Sequence, residues 1–118
     1  MNKLDKVKTI IIEKPLKLDC GKTISKFPLA YETYGKLNEK KDNAILAFHA
    51  LTGDQFVTGI NPITKKNGWW SYLVGPGKAV DTNKFFVICA NVIGGCIGSY
   101  GPNTFDPVTK KKLATDFP

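Results

Sequence analysis

Few residues in this sequence are equipped for chemistry. His49 is its only histidine, so any serine–histidine or cysteine–histidine dyad must use it. It stands in Ala44-Ile45-Leu46-Ala47-Phe48-His49-Ala50-Leu51-Thr52-Gly53-Asp54, an apolar run that turns into a small polar loop. Two chemistries suit that setting. The imidazole is either a general base or a ring that hydrogen-bonds a loop carbonyl. The loop itself, rich in free backbone N–H groups, suits an anionic intermediate. Such a loop contributes about 10²–10³ in rate, but only to an attack that another group makes. Ser99, in Ile97-Gly98-Ser99-Tyr100-Gly101, comes nearest to a nucleophile elbow. Its first glycine is displaced by one residue and no helix pattern follows, so the G-x-S-x-G arrangement fails.

Other chemistries fail on spacing. Gly94, Gly95, Gly98 and Gly101 do not fit G-x-G-x-x-G, and Gly77-Lys78 precedes Ala79 where a Walker loop needs Ser or Thr. Cys20, Cys89 and Cys96 are odd in number and lack C-x-x-C spacing, so free, buried or half-buried thiols are expected rather than disulfides or zinc. A lone histidine does not supply a metal site. The net charge of +7 comes with 17 basic residues, all of them lysine. Lysine lacks the bidentate fork of specific nucleic-acid readers, so a solvated lysine surface is expected, without nucleic acid. No stretch approaches the roughly 18 apolar residues of a membrane span. The N-terminus, Met1 to Lys8, has no apolar signal region, which points to the cytoplasm.

The elements that position His49 follow from pattern. Val7 to Glu13 reads as a β-branched strand ended by Pro15. Leu16 to Asp19, a turn at Cys20-Gly21-Lys22, and Thr23 to Gly35 read as a hairpin, with Pro28 at an edge or bulge. Leu29, Tyr31 and Thr33 share one face of its second arm, and Ala30, Glu32 and Tyr34 the other. Residues 44–51 and 84–92 read as strands buried on both faces, as in a parallel pair. Their spacing fits a right-handed crossover, with about two helical turns over Gly68 to Val74 before Gly75-Pro76-Gly77 breaks them. The tryptophans there are core or the wall of a pocket. Residues 93–118 lack periodicity and read as an active-site loop or a segment awaiting a packing partner. In open α/β sheets chemistry gathers beyond the carboxyl ends of parallel strands, which is where His49 and its loop fall.

Several motifs in register carry a resemblance. His49-Ala50-Leu51-Thr52-Gly53-Asp54, Gly68-Trp69-Trp70, Leu73-Val74-Gly75-Pro76-Gly77-Lys78-Ala79-Val80-Asp81-Thr82 and Phe86 through Cys96 closely resemble the homoserine O-acetyltransferase family. The match continues through Gly98-Ser99-Tyr100-Gly101-Pro102 and Asp106-Pro107 to Asp116-Phe117-Pro118, covering the chain from about Leu16. The resemblance implies an α/β-hydrolase fold, of which residues 1–118 are a single partial domain: antiparallel hairpin strands leading into a parallel sheet, incomplete. It implies transfer of an acetyl group from acetyl-CoA to the hydroxyl of L-homoserine through an acyl-serine, in methionine biosynthesis. Acetyl-CoA is then a co-substrate, with no tightly bound cofactor, and the full-length enzyme a homodimer. The Leu51 N–H becomes an oxyanion donor. Thr52, Gly53, Asp54, Asn91, Gly94 and Gly95 belong to the loops shaping the pocket mouth, and His49 is structural support.

The family's nucleophilic serine, acid and histidine all follow the matched region, so the resemblance implies an N-terminal part without its triad, inactive alone. Relatives using succinyl-CoA or accepting serine share these motifs, which leaves donor and acceptor open. A short lysine-rich binding module, or a subunit completed by another chain, is the alternative of a different kind. Alone, the two parallel strands would leave an unpaired edge and an apolar face exposed, so marginal stability is expected.

Overall fold

A computed structural model describes residues 6–106 and 108–118. Its centre is a four-stranded sheet of order β1-β4-β8-β5, formed by β1 (Lys8–Ile12), β4 (Phe27–Tyr34), β8 (Phe86–Ala90) and β5 (Ala44–Ala47). Two-stranded ladders join β2 (Leu16–Lys17) to β3 (Thr23–Ile24) and β6 (Val74–Gly75) to β7 (Val80–Asp81). The β1–β4 and β4–β8 pairs are antiparallel, whereas β5 runs parallel to β8.

The sequence places a hairpin at 16–35, and the structure divides it. Only Leu16–Lys17 and Thr23–Ile24 pair locally, while the long arm β4 turns to β1 and β8. Pro28 lies in β4 opposite Ile11. Its carbonyl accepts from the Tyr100 N–H, beyond the end of β8, which pairs only with Tyr31 to Tyr34. The missing N–H of proline therefore faces a loop and no ladder bond is lost.

One face of the sheet is closed. Tyr34 and Glu32 lie opposite Val87 and Cys89, which in turn lie beside Ile45 and Ala47. Ala47, Val57, Val74, Val87 and Cys89 form the core, with Trp69, Trp70 and Leu73 packed against it. The tryptophans are thus half-buried members of this core, their ring centroids 4.9 Å apart. The other face is open. Ile10 pairs with Leu29 and Leu46 with Ile88 on that side, and Ile10 is 51% and Leu46 57% exposed. The expectation that residues 44–51 are buried on both faces is corrected: β5 stops at Ala47 and is the last strand of the sheet. With a neighbour on one side only, it cannot cover its own side chains.

The helix expected over Gly68 to Val74 is absent, and among the described residues helix is confined to short 3₁₀ turns. Successive turns replace it, closed by Leu73 and Val74 N–H groups on the Trp70 carbonyl. The Trp70 N–H donates instead to the Val57 carbonyl at 2.8 Å, drawing the segment onto the core. Gly68 is needed there, because a Cβ would stand 2.4 Å from the Thr58 nitrogen. Cys89 is buried, but Cys20 and Cys96 are exposed, against the expectation of buried or half-buried thiols. Both lie in turns outside the sheet.

Candidate active site

Beyond the carboxyl ends of β5 and β8, two loops meet. His49 follows β5 by two residues, and its Nδ1 lies 2.7 Å from the Ala50 carbonyl. A carbonyl only accepts, so Nδ1 carries the proton and Nε2 is left as an acceptor. Nε2 receives the Val92 N–H at 3.2 Å and lies 3.5 Å from the Asn91 amide nitrogen. Both ring nitrogens are therefore engaged, and the imidazole fastens the loop after β5 to the loop after β8.

The Gly53 N–H donates to the Ala50 carbonyl at 2.8 Å, closing a turn over residues 50–53. Neither Leu51 nor Thr52 has positive φ, so the turn is of the type I kind. Among the described residues the N–H groups of Leu51 and Thr52 donate to nothing. The Leu51 side chain is 96% exposed. This turn presents unspent backbone donors at the end of a parallel strand.

Asp54 is placed differently from the other loop residues. Its Oδ1 accepts the Phe56 N–H and its Oδ2 the Asn61 amide, each at 2.8 Å. The Trp69 indole N–H donates to its carbonyl at 2.9 Å. Gln55, fully buried, reaches across to the Ile97 carbonyl at 3.1 Å. Ser99 is buried: its hydroxyl donates to the Asn91 carbonyl at 2.5 Å and accepts the Ala30 N–H at 2.9 Å. A serine so enclosed is a brace between loop and sheet.

Asn91 is buried and its Oδ1 has no partner. Gly95 packs onto that oxygen so closely that a Cβ would stand 2.4 Å from it. Gly94 has φ +86° and is exposed. A shallow cavity of about 150 Å³ is lined by Pro28, Gly95, Cys96, Ser99 and Phe105, among others, but not by Leu51 or His49. Burial pushes the Cys89 thiol up to about 11, and the Tyr34 hydroxyl up to about 12. Among the described residues no cluster of three or more His, Cys, Asp and Glu side chains suits a metal.

The structure thus joins His49 to Asn91 and Val92, and ties Asp54 to Asn61 and Trp69. Gln55 and Asn61 were not legible as parts of the site, and the reading of the tryptophans as core or pocket wall did not extend to the bond from Trp69 to Asp54. Asn61-Pro62 signals a loop, but nothing in the apolar pattern marks a buried glutamine or directs an indole to one carbonyl.

No family profile matches the chain. The homoserine O-acetyltransferase of Pelagibacter ubique strain HTCC1062 is 75% identical over 112 residues, which cover 95% of this chain and 30% of the relative. That of Mesorhizobium japonicum is 58% identical over 106 residues, covering 90% and 27%. The chain resembles part of the homoserine O-acetyltransferases. It spans between 23% and 30% of the length of the curated relatives it matches. The crystal structure of the Bacillus anthracis homoserine O-acetyltransferase superposes with a TM-score of 0.80 at 34% identity, covering 96% of this chain and 32% of that one. Esterase E22 superposes with a TM-score of 0.79 at 28% identity and the same coverage. The sheet is accordingly a portion of an α/β-hydrolase fold. Among the described residues no helix is long and apolar enough to cross a membrane.

Proposed function

We propose that this chain supplies the oxyanion-binding portion of a homoserine O-acetyltransferase. The observation that carries the reading is the 50–53 turn, with the Leu51 N–H unspent at the end of β5, in a segment 75% identical to such an enzyme. Acetyl-CoA acylates a serine outside residues 1–118, and the acyl-serine passes its acetyl group to the L-homoserine hydroxyl. At each step the carbonyl oxygen gains negative charge. The Leu51 N–H stabilises that charge without reorganising, because the turn is closed beforehand. His49 supports the turn from the side of Val92, and Thr52, Gly53, Asn91, Gly94 and Gly95 shape the mouth of the pocket. The completed enzyme is a cytoplasmic homodimer in this reading.

An acyl-serine delivers its acyl group to an alcohol or to water, and esterase E22 has a similar sheet. The identities of 75% and 58% to acetyltransferases favour the alcohol. The test joins residues 1–118 to the remaining part of the Pelagibacter ubique relative and follows release of free CoA. Release that depends on L-homoserine supports the reading. Release without homoserine indicates hydrolysis, preference for succinyl-CoA or serine reassigns the substrates, and no release from a folded protein refutes it.

A further inference from the structure

We propose that Asp54 is a positioning residue, which with Asn61 and Trp69 clamps the 50–53 turn to the core. The inference rests on the oxyanion role of Leu51 and adds a device that holds it. A carboxylate at the lip of an acyl-transfer site invites a role on substrate, as a base or as a partner for the homoserine ammonium. The geometry argues otherwise. Oδ1 accepts the Phe56 N–H and Oδ2 the Asn61 amide, so both carboxylate oxygens are engaged by the chain itself. The carbonyl of the same residue is held by the indole of Trp69, which packs against the core.

Asn61 is equally committed. It is buried, and its Oδ1 accepts the Ile63 and Thr64 N–H groups at 2.8 and 3.1 Å. Its amide orientation is thereby fixed, with Nδ2 toward Asp54. Each group in this chain of bonds has one satisfactory partner arrangement. Asp54 directly follows Gly53, whose N–H closes the turn, so a displaced Asp54 carries the turn with it. A misplacement of about 1 Å in a reacting geometry costs on the order of 10²-fold in rate.

The two side chains can exchange identities without losing a bond, which gives the decisive variants. In Asp54→Asn the new amide faces the Asn61 amide, donor to donor. In the double variant Asp54→Asn/Asn61→Asp, residue 54 donates to a carboxylate at 61, which still accepts from Ile63 and Thr64. The test uses the chain joined to the remainder of the Pelagibacter ubique relative, with two readouts: kcat and KM for CoA release, and hydrogen exchange of the Gly53 amide and the Trp69 indole N–H. We expect Asp54→Asn to lower kcat by about 10- to 100-fold, with KM within about two-fold, and to quicken both exchanges. The double variant restores kcat to within about three-fold and slows exchange again. A folded double variant that exchanges slowly yet stays as inactive as Asp54→Asn overturns the proposal, because the carboxylate at 54 then acts on substrate itself. Unchanged exchange and kcat in Asp54→Asn overturn it as well. Quickened exchange with unchanged kcat leaves the clamp standing and refutes the oxyanion role of Leu51 instead.

Discussion

Replacing Leu51 by proline removes one N–H and little else. Leu51 is the second residue of the 50–53 turn, closed from Gly53 to Ala50, and its φ is not positive. Proline is favoured at that position of a type I turn, since its ring presets the required φ. The leucine side chain is 96% exposed, so its loss leaves no cavity. The N–H itself donates to nothing within the described residues, so no structural hydrogen bond is broken. The substitution should therefore barely move stability while deleting the proposed oxyanion donor. Such a deletion costs about 10²–10³ in kcat, or about 2.7–4 kcal/mol of transition-state stabilisation. The assay is homoserine-dependent CoA release by the chain joined to the rest of the Pelagibacter ubique relative, alongside a thermal melt. Leu51→Ala, which keeps the N–H, is the control and should stay within about three-fold of the parent. Leu51→Pro with an unchanged melt and kcat within three-fold of the parent would refute the assignment.

Four further outcomes follow from the same geometry. Gly95→Ala drives a Cβ to 2.4 Å from the Asn91 Oδ1 and 2.8 Å from the Val92 carbonyl, and should destabilise by about 1–3 kcal/mol in a denaturant melt. Cys20 and Cys96 are exposed and Cys89 buried with its thiol raised to about 11, so a thiol reagent near neutral pH should modify the first two quickly and Cys89 only on unfolding. Between pH 9 and about 11 the unfolded chain loses the Cys89 proton while the folded chain keeps it. Stability should consequently fall as pH rises through that window, and fall less in Cys89→Ala. The 118-residue chain alone, with Ile10, Leu46 and Phe48 exposed and β5 unpaired on one side, should bind a hydrophobic dye and aggregate; a monodisperse, cooperative melt would count against this.

The sequence shows some of this plainly. Alternation along Leu29 to Tyr34 foretells the two faces of β4, and the apolar runs read at 44–51 and 84–92 foretell a parallel pair, which the structure shortens to Ala44–Ala47 and Phe86–Ala90. Periodicity signals burial in a complete sheet and says nothing of which neighbours are present, which is why Leu46 reads as buried and stands exposed. Gly68 to Val74 has helical spacing, but one bond from the Trp70 N–H to the Val57 carbonyl outweighs two marginal turns of helix. The loop after β5 was legible as a reservoir of free donors. What fixes it was not: Asn61, Trp69 and Val92 lie 7, 15 and 43 residues from their partners. Single-residue hydrogen bonds over such separations leave no repeating trace in a sequence.

On the proposed function the reaction is divided between this chain and sequence outside it, and acetylation separates the two directly. Mass spectrometry after brief exposure to acetyl-CoA, with no acceptor present, should find no acetylated residue in the 118-residue chain. The chain joined to the rest of its relative should carry one acetyl group, on a serine outside residues 1–118, removed on adding L-homoserine. A homoserine-labile acetyl group on Ser25, Ser71 or Ser99 would contradict the account.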